Sequence, residues 1–218
     1  MKINEDTSHK VAQYLLQIKA VKLNLQKPFQ WSSGLLAPVY CDTRVILSYP
    51  AIRTFIRQQF LDVINKYLGK ADVIAGVATG GIAHGILVAQ ELGLPFIYVR
   101  PEPKKHGLSN TIEGYVENGQ SVIVIEDLVS TGSSSLRVIE CLKEYGCHVK
   151  GMISIFTYNF KTAQDAFKKN KLQALSLSNF EDLINLALNK EYINQKEFEK
   201  LESWYQNPEE WAKQFKHK

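Results

Sequence analysis

Residues 122–125 read Val-Ile-Val-Ile, and Glu126-Asp127-Leu128-Val129-Ser130-Thr131-Gly132-Ser133-Ser134 follow without a break. Four β-branched residues in succession leave no polar face, so the run suits a strand covered on both sides, as strands of parallel sheets are. The central region repeats this grammar. Short apolar runs at 73–77, 95–99, 121–125, 149–156 and 172–177 alternate with helical periodicity near 82–92, 133–145 and 163–167. The fold class expected is α/β, a central parallel sheet flanked by helices, with ligands beyond the carboxyl ends of the strands.

The flanks read differently. Val11, Leu15, Ile18 and Val21 recur at helical spacing and predict a helix over 8–23; Pro50 opens a second, with Ile52, Phe55, Ile56, Phe60, Val63 and Ile64 as its stripe and Gly69 as its stop. From residue 179 the tail reads as helices, with Leu183, Leu186, Phe198, Leu201, Trp204 and Trp211 as packing residues. Residues 100–119, polar and rich in Pro, Gly and Lys, predict a long loop or mobile hairpin. The organisation expected is a single catalytic domain over 1–218: a small hood from 1–45, an α/β core from 46–178 and C-terminal helices from 179–218.

Composition removes several function classes. The 26 basic and 22 acidic residues are scattered, and a net charge of +4 without a basic stripe argues against a nucleic-acid partner. Cys41, Cys141 and Cys147 lack C-x-x-C spacing, so neither a disulfide framework nor a zinc knuckle is expected. No apolar run approaches the roughly 20 residues of a membrane span. Residues 1–10 are polar, and the expected location is the cytoplasm.

The chemistry is concentrated after the apolar run. Neighbouring residues of an extended chain point to opposite sides, so Glu126 and Asp127 can address two hydroxyls, or a hydroxyl and a hydrated metal. The small-residue turn that follows leads into a helix, and its N–H groups and hydroxyls suit a phosphate monoester, with Gly132 allowing close backbone approach. A plainer reading makes the acids loop residues and Ser130 or Ser133 a helix cap. Two acids directly on such a strand, followed by Ser-Thr-Gly-Ser-Ser, favour the anion cradle. The Gly-Lys-Ser/Thr element of a Walker A loop is missing.

At these residues the chain resembles the type I phosphoribosyltransferases. The resemblance implies that Glu126 and Asp127 hold the ribose hydroxyls of phosphoribosyl pyrophosphate (PRPP), partly through Mg²⁺, and that Leu128, Val129, Ser130, Thr131, Gly132, Ser133 and Ser134 cradle its 5′-phosphate. Three further blocks narrow the likeness to the orotate phosphoribosyltransferases. Tyr98-Val99-Arg100-Pro101-Glu102-Pro103-Lys104-Lys105-His106-Gly107 resembles their catalytic loop, in which Arg100, Lys104 and His106 meet the departing pyrophosphate. Residues 29–44, from Phe29-Gln30-Trp31-Ser32-Ser33-Gly34 to Tyr40-Cys41-Asp42-Thr43-Arg44, resemble their orotate-binding segment. Read from the residues alone, Tyr40, Asp42 and Arg44 share one face of an extended segment that can stack on a flat ring and pair with a carboxylate, or can be ordinary edge-strand packing. Gly76-Val77-Ala78-Thr79-Gly80-Gly81-Ile82 resembles the loop that contacts pyrophosphate, which implies that role for Thr79 and Gly80.

The activity this implies is Mg²⁺-dependent transfer of the phosphoribosyl group from PRPP to orotate, with Asp127 among the catalytic residues and Ser130 beside the base. It also implies a homodimer whose active sites are shared through Lys104 and His106. Ser32, Gly80, Pro101 and Tyr158 stand where other members carry Lys, Lys, Lys and Arg, and Lys105 stands where an acidic residue is common. Arg44 is the expected replacement cation for orotate. A purine phosphoribosyltransferase would give no reason for residues 40–44, and a PRPP-sensing regulator would need a nucleic-acid-binding element that is not evident.

Overall fold

The computed structural model describes residues 4–31, 33–101 and 111–215. Helix α1 (Glu5–Gln17), capped by Asn4, is followed by β1 (Val21–Leu23), β2 (Phe29–Gln30), β3 (Leu36–Ala37) and β4 (Val39–Cys41), then a 3₁₀ turn at Thr43–Ser48. Helix α2 (Pro50–Val63) runs into a π-helical turn, Ile64–Leu68, and stops at Gly69 in a left-handed conformation, φ 68°. The expected alternation follows: β5 (Val73–Val77), α3 (Gly80–Leu92), β6 (Phe96–Val99), β7 (Ile112–Glu113), β8 (Ser121–Val129), α4 (Ser133–Glu144), β9 (His148–Thr157), α5 (Lys161–Lys169) and β10 (Ala174–Asn179). The tail forms α6 (Phe180–Asn189), α7 (Gln195–Gln206) and α8 (Pro208–Lys213).

The six-stranded sheet has the order β10-β9-β8-β5-β6-β7, parallel throughout except for β7. Val122 and Val124 pack into one buried cluster, with Val138 and Leu142 of α4; Ile123 and Ile125 pack into the other, with α1, α2 and the C-terminal helices. All four are fully buried, as a run without a polar face requires.

Three boundaries differ from the sequence expectation. The first helix ends at Gln17, because Lys19 takes a left-handed conformation (φ 55°) and Val21 pairs with Cys41 in an antiparallel ladder. Val21 has helical spacing, but it is spent on a strand. The strand at 121–125 continues to Val129, so Glu126 and Asp127 lie within it. Arg44 is in the 3₁₀ turn and does not share an extended segment with Tyr40. The hairpin expected at 100–119 is present at its base, where Tyr98 pairs with Glu113 and Val99 with Ile112.

Candidate active site

The site is made by strands of unequal length. β5 keeps register with β8 only as far as Gly76 opposite Ile125, whereas β9 follows β8 to Val129. Past Ile125, the turn at residues 78–80 and the start of α3 take the place of β5 against β8. The approach is close: a Cβ on Gly81 would lie 2.4 Å from the Ile125 carbonyl oxygen, and one on Gly80 2.2 Å from the Asp127 carboxyl. Backbone stands in the way at Gly81, so the crossing requires glycine there; at Gly80 the neighbour is a side chain, which an added methyl would displace.

The two acids are held differently. Glu126 is 5% exposed; its Oε2 accepts from Ser135 Oγ at 2.9 Å and its Oε1 from the Asp127 backbone N–H at 3.0 Å. Burial first, then the charge of Asp127 and a side-chain hydrogen bond with it, push the Glu126 carboxyl well above the ordinary carboxylate range. Strand alternation therefore does not separate the pair electrostatically. Asp127 is half-buried, and its Oδ2 accepts from Thr43 Oγ1 at 2.7 Å.

Beyond Val129 the chain turns through Ser130 to Gly132, which is left-handed at φ 78°, and α4 begins at Ser133. Among the described residues no side chain caps α4. Its first N–H groups are thus not met by a cap from Ser130 or Ser133, and they suit an anion. Thr131 and Ser133 share a hydroxyl hydrogen bond of 3.2 Å. A Cβ on Gly132 would meet the Phe167 ring at 2.8 Å, so its φ and this packing require glycine independently of any anion.

Across from the turn stand Tyr40, Asp42 and Arg44. Arg44 Nε donates to Asp42 Oδ1 at 2.6 Å and Nη2 to Oδ2 at 3.0 Å; Nη2 also reaches Tyr40 Oη at 3.4 Å. The hydrogen bond from Arg44 holds the Asp42 carboxyl below its ordinary range. The three residues do meet, but through these bonds and the 3₁₀ turn. Behind them Trp31 packs 4.5 Å from the Tyr158 ring, and Tyr158 stacks on Phe160 at 5.8 Å. Tyr158 is 2% exposed, and burial pushes its phenol well above the usual range. The position that the family resemblance marks for a cation is here part of the core.

A cavity of about 430 Å³ lies between the two sides. Tyr40, Arg44, Thr79 and Gly80 line it, as do Glu126, Asp127, Leu128, Ser130 and Ser134. Thr131, Gly132 and Ser133 shape the turn without lining the cavity, and Val129, 3% exposed, packs into the core with Val138. Arg100 is also outside the lining set. It pairs with Glu113 at 3.3 Å and sits 5.6 Å over the Tyr98 ring, although its neighbour Pro101 lines the cavity. Lys104, Lys105, His106 and Gly107, and Ser32 in the first block, lie outside the described residues. A larger cavity of about 760 Å³ lies between α5 and the β9–β10 edge; of the expected site residues it takes only Val129.

Sequence reasoning missed Thr43, Ser135 and Glu113, which act on Asp127, Glu126 and Arg100 respectively. Thr43 lies between two residues that the pattern did select, and strict alternation assigned it to the wrong side. Among the described residues no group of three or more His, Cys, Asp or Glu is arranged to hold a metal ion. Two carboxylates beside a phosphate-sized turn do fit Mg²⁺ that arrives on a diphosphate and keeps much of its water.

The phosphoribosyl transferase domain family matches residues 44–187. The chain is 48% identical over 200 residues to the orotate phosphoribosyltransferase of Phocaeicola vulgatus, covering 92% of this chain and 94% of that protein. It is 46% identical over 203 residues to the orotate phosphoribosyltransferase of Cytophaga hutchinsonii, covering 93% and 97%. Among solved structures, the orotate phosphoribosyltransferase of Aeropyrum pernix superposes with a TM-score of 0.71 at 27% identity, over 84% of this chain and 99% of that one.

Proposed function

The chain belongs to the orotate phosphoribosyltransferases, and from that premise we propose that the 430 Å³ cleft is where the phosphoribosyl group passes from PRPP to orotate. The products are orotidine 5′-monophosphate and pyrophosphate, within pyrimidine biosynthesis. The C1–oxygen bond to pyrophosphate breaks with its electrons leaving on the pyrophosphate, the bond from C1 to the orotate ring nitrogen forms, and the ring-nitrogen proton is released.

One observation carries the assignment of parts: the Tyr40–Asp42–Arg44 cluster and the uncapped start of α4 face one cavity, with Asp127 between them. In this reading Asp127 and Glu126 receive the ribose hydroxyls, and residues 128–134 enclose the 5′-phosphate, Ser130 and Ser134 from the cavity wall and the other members as its frame. Thr79 and Gly80 meet the pyrophosphate. Tyr40 stacks on the orotate ring, Arg44 pairs with its carboxylate, and Ser130 borders the base. Arg100, Lys104 and His106 neutralise charge on the leaving group. Fixing both ends of the sugar orients C1 for attack, and enclosure keeps water from the activated sugar.

Mg²⁺, held through PRPP with Glu126 and Asp127 beside it, supplies Lewis-acid neutralisation of the diphosphate. The working form is a cytoplasmic homodimer with shared sites, to which Lys104 and His106 of one subunit contribute across the interface. No helix among the described residues is long and apolar enough to cross a membrane. The hood, the α/β core and the C-terminal helices act together as one catalytic unit.

Loss of orotate absorbance on adding PRPP with Mg²⁺, and no loss with PRPP and a purine base, is the expected result. An unchanged orotate spectrum would overturn the reading. For the dimer, mixing Glu126→Ala and Lys104→Ala proteins restores activity on subunit exchange if sites are shared and leaves both inactive if they are not.

A further inference from the structure

Thr43 is polar, 1% exposed, and 84 positions away in sequence from the side chain to which it donates, Asp127 Oδ2, at 2.7 Å. Both residues line the cleft. On its other side the Asp127 carboxyl lies against Gly80, close enough that any Cβ there would occupy the same space. The carboxylate is therefore wedged between a hydroxyl donor and a bare backbone. We propose that Thr43 is a positioning residue that holds Asp127 in its sugar-binding rotamer before PRPP arrives.

The physical argument concerns ordering. An aspartate with open space around it must be fixed on binding, and that ordering costs conformational entropy. A hydroxyl donating to a carboxylate is a charge-assisted bond, stronger than a neutral one, and here it is partly shielded from solvent. It engages Oδ2, while Glu126 is the carboxyl's other side-chain neighbour. Thr43 is itself well placed to hold a fixed position. It opens the 3₁₀ turn whose N-cap is Asp42, and Asp42 is ion-paired with Arg44 at 2.6 Å. The turn that presents Arg44 to the base is thus the turn that orients Asp127 for the sugar.

The inference rests on the reading that Asp127 meets the ribose of PRPP. It is tested by titrating PRPP with Mg²⁺, without orotate, into the wild-type chain and into Thr43→Val, Thr43→Ser, Asp127→Ala and the Thr43→Val/Asp127→Ala double variant. Loss of one hydrogen bond to a charged group predicts about tenfold weaker PRPP binding in Thr43→Val. Thr43→Ser, which keeps the hydroxyl, retains near wild-type affinity. The double variant binds no more weakly than Asp127→Ala alone, because the hydroxyl acts only through the carboxylate. Wild-type affinity in Thr43→Val, or additive losses in the double variant, would overturn the proposal while leaving the parent reading intact. A wild-type chain that binds no PRPP would overturn both. Should Thr43→Val fail to fold, Thr43→Ala completes the same cycle.

Discussion

The wall of the cleft at residues 126–134 grows from β8, a nine-residue strand held by ladders on both sides, whereas the wall at residues 31–44 contains strands of two and three residues. The second wall cannot hold itself by backbone pairing, since two-stranded pieces of that length are marginal in water. Side chains from far along the chain hold it. Trp31 donates from Nε1 to the Val39 carbonyl at 3.1 Å and lies 5.7 Å from the Trp204 ring; Trp204 in turn donates to the Leu36 carbonyl at 3.3 Å. Phe160 and Phe180 pack edge-on against the same indole. The sheet wall derives its order from the core beneath it, and the aromatic wall from the C-terminal helices, which gives those helices a function. Damage to the first should act on chemistry, and damage to the second on stability and on the base together.

The largest effect is expected at Trp204, which is fully buried. Trp204→Ala empties the centre of the aromatic cluster and should cost about 3–5 kcal/mol, read from urea denaturation. The KM for orotate should rise while PRPP affinity changes little. Trp204→Phe keeps most of the packing but loses the N–H bond to Leu36, for about 1 kcal/mol. If Trp204→Ala lowers stability and leaves orotate KM untouched, the aromatic wall stands without its brace and the contrast between the walls fails.

The same contrast explains what could be read from the sequence. β5, β6, β8 and the helices between them were visible because their signals are local: uninterrupted β-branched residues, then helical periodicity. Glu126, Asp127, Ser130 and Ser134 were visible because chemistry and strand lie side by side in the chain. The brace of the aromatic wall was not legible, because nothing near Trp31 reveals a partner 173 positions away, at Trp204. Lys19 turns left-handed without the glycine that would have announced it, and so the first helix was drawn too long. Tyr158 was noticed only as a missing arginine, and its role as core appears once Phe156, Phe160, Phe180 and Trp204 surround it.

Beneath the sheet wall lies a buried imidazole whose charge state should govern acid stability. His84 on α3 is 2% exposed, its Nε2 has no hydrogen-bond partner among the described residues, and it faces the Phe60 ring at 6.4 Å. Burial lowers its pKa from 6.5 to about 4; the nearby Asp127 charge opposes that shift and Arg53 adds to it. A histidine depressed in the folded state contributes stability that is complete above pH 6.5 and is lost as pH falls through 4. The size is roughly 3 kcal/mol. Glu126, shifted upward, has the opposite sign, and its contribution is present at low pH and lost as pH rises. His84→Leu should therefore flatten the decline in urea midpoint between pH 6.5 and 4 and alter it little at pH 7. An unchanged decline would place the acid sensitivity elsewhere.

A smaller effect, and one confined to chemistry, is expected at the crossing of α3 over β8. Gly80 is the first residue of α3, where alanine is the better helix former by up to about 1 kcal/mol. The added methyl meets only the Asp127 carboxyl among its nearest neighbours, and that group can swing away. Gly80→Ala should melt no lower than wild type, yet lose on the order of thirtyfold in kcat/KM for PRPP, equivalent to about 2 kcal/mol. Parallel loss of stability and activity would mean that the sheet wall cannot be altered chemically without being unfolded.

The smallest expected effect lies at the edge of the aromatic wall. The Arg44 side chain is 59% exposed and paired with Asp42, and exposed pairs of this kind contribute little to stability, about 0–1 kcal/mol. Arg44→Ala should thus leave the urea midpoint nearly unchanged. In its proposed role as cation for the orotate carboxylate, however, it should contribute about 1.4 kcal/mol, a tenfold rise in orotate KM with kcat and PRPP affinity preserved. Arg44→Lys should recover part of this, since it keeps the charge but cannot span both Asp42 oxygens while meeting a carboxylate. Equal orotate KM in all three proteins would show that the base is held by Tyr40 and the cleft floor alone. The carboxylate would then be met without a cation from position 32, a serine, or position 158, a tyrosine.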